Sequence, residues 1–243
     1  MNQSFLREEM LLGADALKKL GTSHVAVFGL GGVGSWCAEA LARSGIGEIT
    51  LIDCDTVGES NINRQLCALS STVGMEKTAV MASRLRDINP SLLIHTICGV
   101  YRADDRERFF ADFDFVADAI DLVSSKVDLI KTCIERDIPI ISALGTGNKK
   151  DASLLKITDI SKTENCALAR VVRKELRAAG ISHSPVVFSP ELPIQAEQSE
   201  TPPPGRRSIP GSLVWVPASA GFLMCQYIIT ELIREQHTEG GTK

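Results

Sequence analysis

The sequence predicts an α/β fold: a doubly wound, mostly parallel sheet with a C-terminal extension of strands and helices. Two observations carry this prediction. Short β-branched apolar runs alternate with segments of helical periodicity up to about residue 145, which is typical of parallel strands joined by right-handed crossovers. The chain also has 243 residues, 44% of them hydrophobic, and therefore enough apolar side chains to bury a full core.

The elements of the first part follow in chain order. Residues 8–20 have apolar positions at helical spacing and predict an opening helix. Buried strands are predicted at 24–29, 48–55, 92–97, 114–120 and 138–144, and helices at 33–44, 76–88 and 122–136. We expect the 76–88 helix to end before Asn89-Pro90, because the residue that precedes a proline resists helical backbone angles.

Beyond residue 145 the pattern is less regular. It predicts a strand at 154–160, a helix at 164–179, a strand at 212–216 and an apolar helix at 217–234. Between them, residues 190–211 hold six prolines and no periodicity, which predicts a mobile loop. We therefore divide the chain into a first part (1–145), a second part of the same domain (146–235) and a polar tail (236–243).

Composition argues against several classes of protein. The N-terminus has neither the basic start nor the apolar run of a signal peptide, and no stretch approaches the roughly 20 apolar residues of a membrane span. The net charge of −4 leaves any contact with nucleic acid to a local patch. Seven scattered cysteines without a CxxC pair indicate reduced thiols in a soluble cytoplasmic protein and no zinc site. Metal-ligand spacing is also missing from the histidines, which are His24, His95, His183 and His237.

A glycine cluster stands between the first predicted strand and the helix that follows it. Its members are Gly29, Gly31, Gly32 and Gly34. Glycines allow a tight turn and a close approach of backbone to phosphate groups, and the following helix offers free N–H groups. Asp53 ends the next strand, 19 residues after Gly34, where an acid binds a ribose hydroxyl. These residues predict a Rossmann-like nucleotide site, and taken alone they favour NAD.

A second group of residues favours a triphosphate over NAD. Arg64 provides a planar fork for phosphate oxygens, Lys77 provides a point charge thirteen residues later, and Asp121 provides a carboxylate for Mg²⁺. A dehydrogenase needs no such set around its cofactor, whereas an enzyme that splits ATP does. The polar segment around Arg64 completes the predicted site with Asp55, Ser60, Asn61, Asn63 and Gln65.

The motifs GLGGVG, DCDTVGESNINRQ, VGMEK and DAID together resemble the adenylation domain of the ubiquitin-activating-enzyme-like superfamily. The resemblance implies that residues 1–145 bind ATP and adenylate a carboxylate. It also implies a homodimer in which Arg7 reaches the ATP of the neighbouring subunit and acts there with Arg64, Lys77 and Asp121. The roles it implies are phosphate contact for Gly32, ribose contact for Asp53, a phosphate channel lined by Ser60, Asn61 and Arg64, triphosphate contact for Lys77, magnesium binding for Asp121 and a nucleotide border for Leu122.

The second half resembles one branch of that superfamily, the tRNA threonylcarbamoyladenosine dehydratases. The resemblance lies in residues 140–163 and in the segments NCALARVVRKELRAAGI and IPGSLVWVPASAGF. One departure lies at 164–168, where members often have a proline before the leucine. The resemblance implies that ATP activates the threonyl carboxylate of the modified nucleoside, which then cyclises with release of AMP and pyrophosphate.

Two alternative functions stay open at this point. One is an activator of the C-terminal carboxylate of a ubiquitin-like sulfur-carrier protein, although such activators usually carry paired CxxC motifs that this sequence lacks. The other is a nucleotide-sensing or NAD-binding module without catalysis. The resemblance also leaves open a bound monovalent cation and a sulfur-relay or cysteine desulfurase partner.

An RNA substrate requires a positively charged surface on the protein. On the predicted 164–179 helix, the four residues Arg170, Arg173, Lys174 and Arg177 form one stripe, while Leu168, Val172, Leu176 and Ala179 should face the core. Loop residues that extend the stripe are Lys149, Lys150, Arg206 and Arg207. Cys166 and Cys225 lack basic neighbours in the sequence, and we expect buried apolar residues there rather than nucleophiles.

Overall fold

The computed structural model describes residues 3–195, 197 and 209–234, and its centre is one seven-stranded sheet. The strands are β1 His24–Phe28, β2 Glu48–Asp53, β3 Leu93–Cys98, β4 Phe115–Asp118, β5 Ile140–Ala143, β6 Lys156–Asp159 and β7 Pro185–Phe188. Their order is β3-β2-β1-β4-β5-β7-β6, and every neighbouring pair is parallel except β6 with β7. The predicted α/β fold with a mostly parallel sheet is therefore confirmed.

Helices cover both faces of this sheet. They are α1 Leu6–Leu12, α2 Ala14–Leu20, α3 Gly34–Arg43, α4 Lys77–Ile88, α5 Val123–Glu135, α6 Ala167–Ala178 and α7 Trp215–Leu232. Alternate residues of β1 point to opposite faces: Val25 and Val27 pack with α3, α4 and α7, while Ala26 and Phe28 pack with α5 and α6. Both faces of the central strands are thus buried, which explains why they read as continuous apolar runs.

Three predicted elements differ from the structure. The opening helix is two helices, because Gly13 between them adopts a φ of 85°, which a helix cannot continue. β3 is mostly exposed rather than buried, because it is an edge strand with β2 as its one sheet neighbour. Residues 212–216 form no strand: the Ala218 amide donates to Val214 O, so the apolar run of this segment leads directly into α7.

The topology sets where a ligand can bind. From β1 the chain first builds β2 on one side and later β4 on the other side. The crevice at the carboxyl ends of β1 and β4 is therefore the switch point at which doubly wound sheets bind their ligands. Within the part of the chain that the structure describes, no helix combines the length and the apolarity that a membrane span requires.

Candidate nucleotide site

The glycine loop after β1 packs so tightly that two of its positions accept no side chain. Gly29 adopts a φ of 89°, and a Cβ there would lie 2.8 Å from Ala119 O. A Cβ at Gly34 would lie 1.8 Å from Gly29 O. The loop is also fastened to the rest of the site, since the Ser35 hydroxyl donates to Gly31 O at 2.6 Å and accepts from the Leu66 amide at 3.1 Å. The backbone is therefore free to approach a phosphate at the start of α3.

Asp53 ends β2 beside this loop, as the sequence predicts. Its Oδ2 accepts from the Leu30 amide at 2.6 Å, and its Oδ1 accepts from the Asp55 amide at 2.8 Å. The two bonds orient the carboxylate and leave acceptor capacity on both oxygens, as a ribose contact requires. The ligand atoms of Asp53, Cys54 and Asp55 lie within 4.8 Å of one another. Burial and the neighbouring Asp55 raise the pKa of Cys54 to about 11, so its thiol is protonated.

The predicted phosphate-binding residues converge on the glycine loop from the 60–65 segment. A Cβ at Gly32 would lie 3.5 Å from Arg64 Cγ, and the Trp36 indole on α3 donates to Arg64 O at 3.1 Å. The guanidinium itself donates to Ser60 O at 2.8 Å and to Asn63 Oδ1 at 2.9 Å. It is half-buried, and burial lowers its pKa from the usual arginine value. In the same segment, Asn61 is partly buried and Gln65 is buried.

Lys77 begins α4 and forms an ion pair with Asp55. Its Nζ lies 2.9 Å from Asp55 Oδ2, and its side chain is 5% exposed against 62% for the aspartate. The pair holds the lysine ammonium at the same edge of the sheet as Asp53. The structure therefore brings the glycine loop, Asp53, Arg64 and Lys77 together, as the motifs predict.

The turn after β4 carries the two remaining predicted residues of the nucleotide site. Asp121 and Leu122 are both exposed just before α5. Beneath them lies a pair that sequence reasoning missed: Lys126 Nζ is 2.7 Å from Asp118 Oδ2, and both side chains are 0% exposed. Asp118 Oδ1 also accepts from the Ile120 amide at 3.0 Å. The available signal was a lysine on the apolar side of a helix, one turn after the DAID motif.

Segments from the second half of the chain, among them the start of α7, border one side of the site. A Cβ at Gly32 would lie 3.2 Å from Pro217 Cβ, and the side-chain Nδ2 of Asn63 donates to Ser212 O at 3.0 Å. Farther out, Asn148 and Gly211 exchange two hydrogen bonds of 2.8 and 2.7 Å. These contacts were not predicted, because they join segments about sixty residues or more apart in the chain.

The predicted basic stripe on α6 is only partly a surface. Arg170, Lys174 and Arg177 are exposed, whereas the Arg173 guanidinium donates to Thr163 O at 2.7 Å and to Ile160 O at 3.3 Å. On the opposite side Val172 and Leu176 are buried as expected. Two expectations for that side were wrong: Leu168 is only half-buried, and Ala179 lies past the helix end and is exposed. Among the loop residues proposed to extend the stripe, Lys149 is buried against Ser189 O and Glu191 O, Lys150 is exposed, and Arg206 and Arg207 lie outside the described residues.

Arg7, Cys166 and Cys225 are the remaining residues that the sequence analysis singled out. Arg7 lies on α1 and is exposed. Nearby in the sequence, Phe5 packs against Gly45 and Glu8 contacts Ser44. Both contacts lie just after the C-terminal end of α3, which is the end opposite the glycine loop. Cys166 is buried and accepts from the Ala169 amide at 3.4 Å. Burial raises the pKa of Cys225 to about 12, as expected for a residue of the core. Much of the predicted 190–211 loop, the 236–243 tail and His237 lie outside the described residues.

Comparison with known proteins gives a family and several relatives. The ThiF family matches residues 5–240. The chain is 41% identical to tRNA threonylcarbamoyladenosine dehydratase from Bacillus subtilis, over 97% of this chain and 96% of the relative. A crystal structure of the E. coli tRNA N6-threonylcarbamoyladenosine dehydratase with ATP matches with a TM-score of 0.88 at 34% identity, over 98% and 97% of the two chains. Molybdopterin-synthase adenylyltransferase from E. coli is 34% identical, but over 54% of this chain and 51% of its own length.

Proposed function

Because this chain belongs to the ThiF family, we propose that it is a tRNA threonylcarbamoyladenosine dehydratase that uses ATP to activate and cyclise its nucleoside substrate. The similarity to the B. subtilis dehydratase carries this proposal, because it extends along nearly the whole of both chains. The nucleotide site described above supports it independently. Its glycine loop, ribose carboxylate and two cations suit ATP better than NAD.

Each part of the site has a role in binding ATP. The backbone of the glycine loop and the N-terminus of α3 would hold phosphate oxygens, and Asp53 would accept from the ribose. Arg64 offers several N–H donors in a plane, while Lys77 offers a compact charge. Asp55, which now pairs with Lys77 at 2.9 Å, holds that ammonium ready at the phosphate side. The two cations would stabilise negative charge as it develops on the leaving pyrophosphate.

The donor groups at this edge also suit magnesium. Asp121 is exposed beside the site, and carboxylate oxygens are the ligands that this cation prefers. The carboxylates of Asp53 and Asp55 lie nearby on the β2 side. When bound, the ion would neutralise part of the triphosphate charge and so favour departure of pyrophosphate.

The proposed reaction has two steps. A threonyl carboxylate oxygen attacks the α-phosphorus of ATP, the bond to the β-phosphate oxygen breaks, and pyrophosphate leaves. The carbamoyl group of the same side chain then attacks the activated carbonyl carbon and gives up a proton, and AMP leaves with one carboxylate oxygen. The ring product has lost the elements of water. Because the attack is intramolecular, it gains a large effective concentration and requires no protein nucleophile.

The function in sulfur-carrier activation is less well supported. The similarity to molybdopterin-synthase adenylyltransferase stops at about half of either chain, whereas the dehydratase similarity includes the second half. That half supplies Ser212, which contacts Asn63, and the start of α7, which contacts Gly32. Since these segments border the place where an acceptor must approach the phosphates, they favour the dehydratase function.

For RNA binding we propose the exposed part of the α6 stripe. Arg170, Lys174 and Arg177 are the members whose charges face solvent. Replacement of these three with alanine should weaken tRNA binding and flatten its salt dependence, because fewer counterions are released. ATP affinity should be unchanged. An unaltered salt slope in the triple variant would refute this surface.

We further propose that the active enzyme is a homodimer in which Arg7 acts in the neighbouring subunit. Within one chain, the segment that carries α1 contacts the C-terminal end of α3. The glycine loop lies at the other end of this helix, whose ten residues span about 15 Å. Arg7→Ala and Asp121→Ala homodimers should both be nearly inactive. A mixed dimer would combine both defects in one site and leave the other intact, so co-expression should restore a sizeable fraction of activity. If a verified mixed dimer shows no recovery, Arg7 does not act across the interface.

The function itself is tested by nucleoside analysis of modified tRNA incubated with the protein, ATP and Mg²⁺. The expected result is conversion of threonylcarbamoyladenosine to a product lighter by one water, with one AMP and one pyrophosphate released for each conversion. Asp121→Ala serves as the inactive control. Exchange of pyrophosphate into ATP that depends on a small carrier protein, with no change in the nucleoside, would instead establish the alternative function.

A further inference from the structure

Trp215 is a large apolar side chain at the surface beside the nucleotide site. The chain has two tryptophans, and the other one, Trp36, packs against Phe222 with ring centroids 6.0 Å apart. Trp215 leaves 50% of its surface exposed, and its neighbour Val214 is exposed as well. The ring therefore has surface that is open to a ligand, and burial of that surface would be favourable.

The indole ring of Trp215 is held in a fixed orientation. Its Nε1 donates to Lys150 O at 2.7 Å. That carbonyl is itself fixed, because the amides of Lys150 and Asp151 donate to the Glu191 carboxylate at 3.0 and 3.2 Å. A side chain that is merely solvated has no need of such support. The ring is instead preorganised for a contact, which reduces the entropy lost when a ligand binds.

The segment that carries Trp215 is fastened to the phosphate side of the site at both ends. Before it, Ser212 O accepts from the side-chain Nδ2 of Asn63 at 3.0 Å. After it, Pro217 packs on the glycine loop, where a Cβ at Gly32 would lie 3.2 Å away. An acceptor carboxylate must approach the α-phosphate next to this loop. The start of α7, where Trp215 lies, borders this loop and is therefore a surface that the rest of the acceptor can reach.

We propose that Trp215 is the aromatic platform on which the adenine of the threonylcarbamoyladenosine stacks. The inference rests on the proposed function, and it names how that substrate is held. Proteins read unpaired RNA bases largely by stacking them on aromatic side chains, and a loop nucleotide has a free face for this contact. Stacking of the base at Trp215 directs its threonyl group back toward Gly32 and the α-phosphate.

Steady-state kinetics of three variants test the platform. Trp215→Ala should raise the KM for modified tRNA by about five-fold to a hundred-fold, and Trp215→Phe should retain most of the affinity because it keeps a ring. Phenylalanine lacks the N–H, so a role limited to the bond with Lys150 O would make both variants equally defective. Phe222→Ala is the matched control, because Phe222 is also an aromatic residue of α7 that is 50% exposed, and it should leave the KM for tRNA unaltered. The dissociation constant for ATP should stay within about two-fold in all three variants, because none removes a predicted nucleotide contact.

Fluorescence gives a second readout that a purely structural role would not change. The chain has two tryptophans, so the emission that wild-type protein has and Trp215→Phe protein lacks comes from Trp215. A modified anticodon stem-loop should quench this emission, whereas ATP alone should not. An unchanged KM in Trp215→Ala, or undiminished emission at saturating RNA, would overturn the platform while wild-type cyclisation still supports the function. Failure of wild-type protein to cyclise the nucleoside would overturn both proposals.

Discussion

Lys126→Met should destabilise the protein more than any other single lysine replacement in α5. Lys126 and Asp118 are both fully buried, and their charged atoms lie 2.7 Å apart. Methionine has about the length and volume of the lysine stem, so the replacement creates little empty space. What it removes is the ammonium, which leaves the Asp118 carboxylate buried with the Ile120 amide at 3.0 Å as its remaining described donor.

The size of the effect follows from that unpaired charge. Loss of one partner of a buried ion pair destabilises a protein by about 3–5 kcal/mol. A domain of this kind has roughly 5–15 kcal/mol of stability in total, so much of it would be gone. The double variant Asp118→Asn with Lys126→Met has no buried charge left to compensate. The double variant should therefore recover a large part of the stability that Lys126→Met loses. This recovery corresponds to a coupling energy of about 2–3 kcal/mol between the two sites.

Urea unfolding of the four proteins in this double-mutant cycle measures these energies directly. Lys131→Met on the same helix is the matched control, because Lys131 is only half-buried, and it should change stability by less than about 0.5 kcal/mol. Since the Asp118 turn also positions Asp121, Lys126→Met should raise the Mg²⁺ concentration needed for half-maximal AMP formation. Two results would refute this reasoning: a free energy of unfolding for Lys126→Met within about 1 kcal/mol of wild type, or a double variant that is no more stable than Lys126→Met alone.

Three further predictions follow from single contacts. Gly34→Ala should abolish folding or ATP binding, because its Cβ would lie 1.8 Å from Gly29 O, and thermal melting with and without ATP checks this. Arg173→Ala should lower the melting temperature through loss of the bond to Thr163 O at 2.7 Å, whereas Arg170→Ala should weaken tRNA binding with an unchanged melt. Burial lowers the pKa of His24 below the usual histidine value of about 6.5, so the unfolded chain binds more protons just below that pH. Stability should therefore fall as the pH drops below about 6.5, and less steeply in His24→Gln.

Much of the fold could be predicted because local patterns and tertiary structure agree in the first half. β1 and β2 are buried on both faces, so apolar residues dominate their sequences, and the glycine loop carries its own geometric requirements. Asp53, Arg64 and Lys77 follow at spacings that put them at one edge of the sheet. Their convergence could be inferred because parallel strands all present their carboxyl ends at that edge.

The parts that were missed depend on contacts between distant segments. The bond between Trp215 and Lys150 joins residues 65 positions apart, and no local pattern in either segment indicates it. The apolar run at 212–216 has no polar alternation, so periodicity could not distinguish a strand from the first turn of a helix. Arg173 has the spacing of a surface stripe, yet it lies where Thr163 O and Ile160 O need donors.

The sheet order explains how one fold can combine a common nucleotide site with a specific acceptor site. β7 pairs with β5 in parallel, so it extends the edge at which the carboxyl ends of β1 and β4 form the switch point. Gly211 contacts Asn148 after β5, and α7 then begins against Gly32. Changes in the loops around β5, β7 and the start of α7 should therefore alter which acceptor can reach the α-phosphate, while the glycine loop and Asp53 stay in place. Exchange of those loops for the equivalent segments of a sulfur-carrier activator should transfer acceptor specificity and leave ATP affinity unchanged, which would locate specificity in the second half.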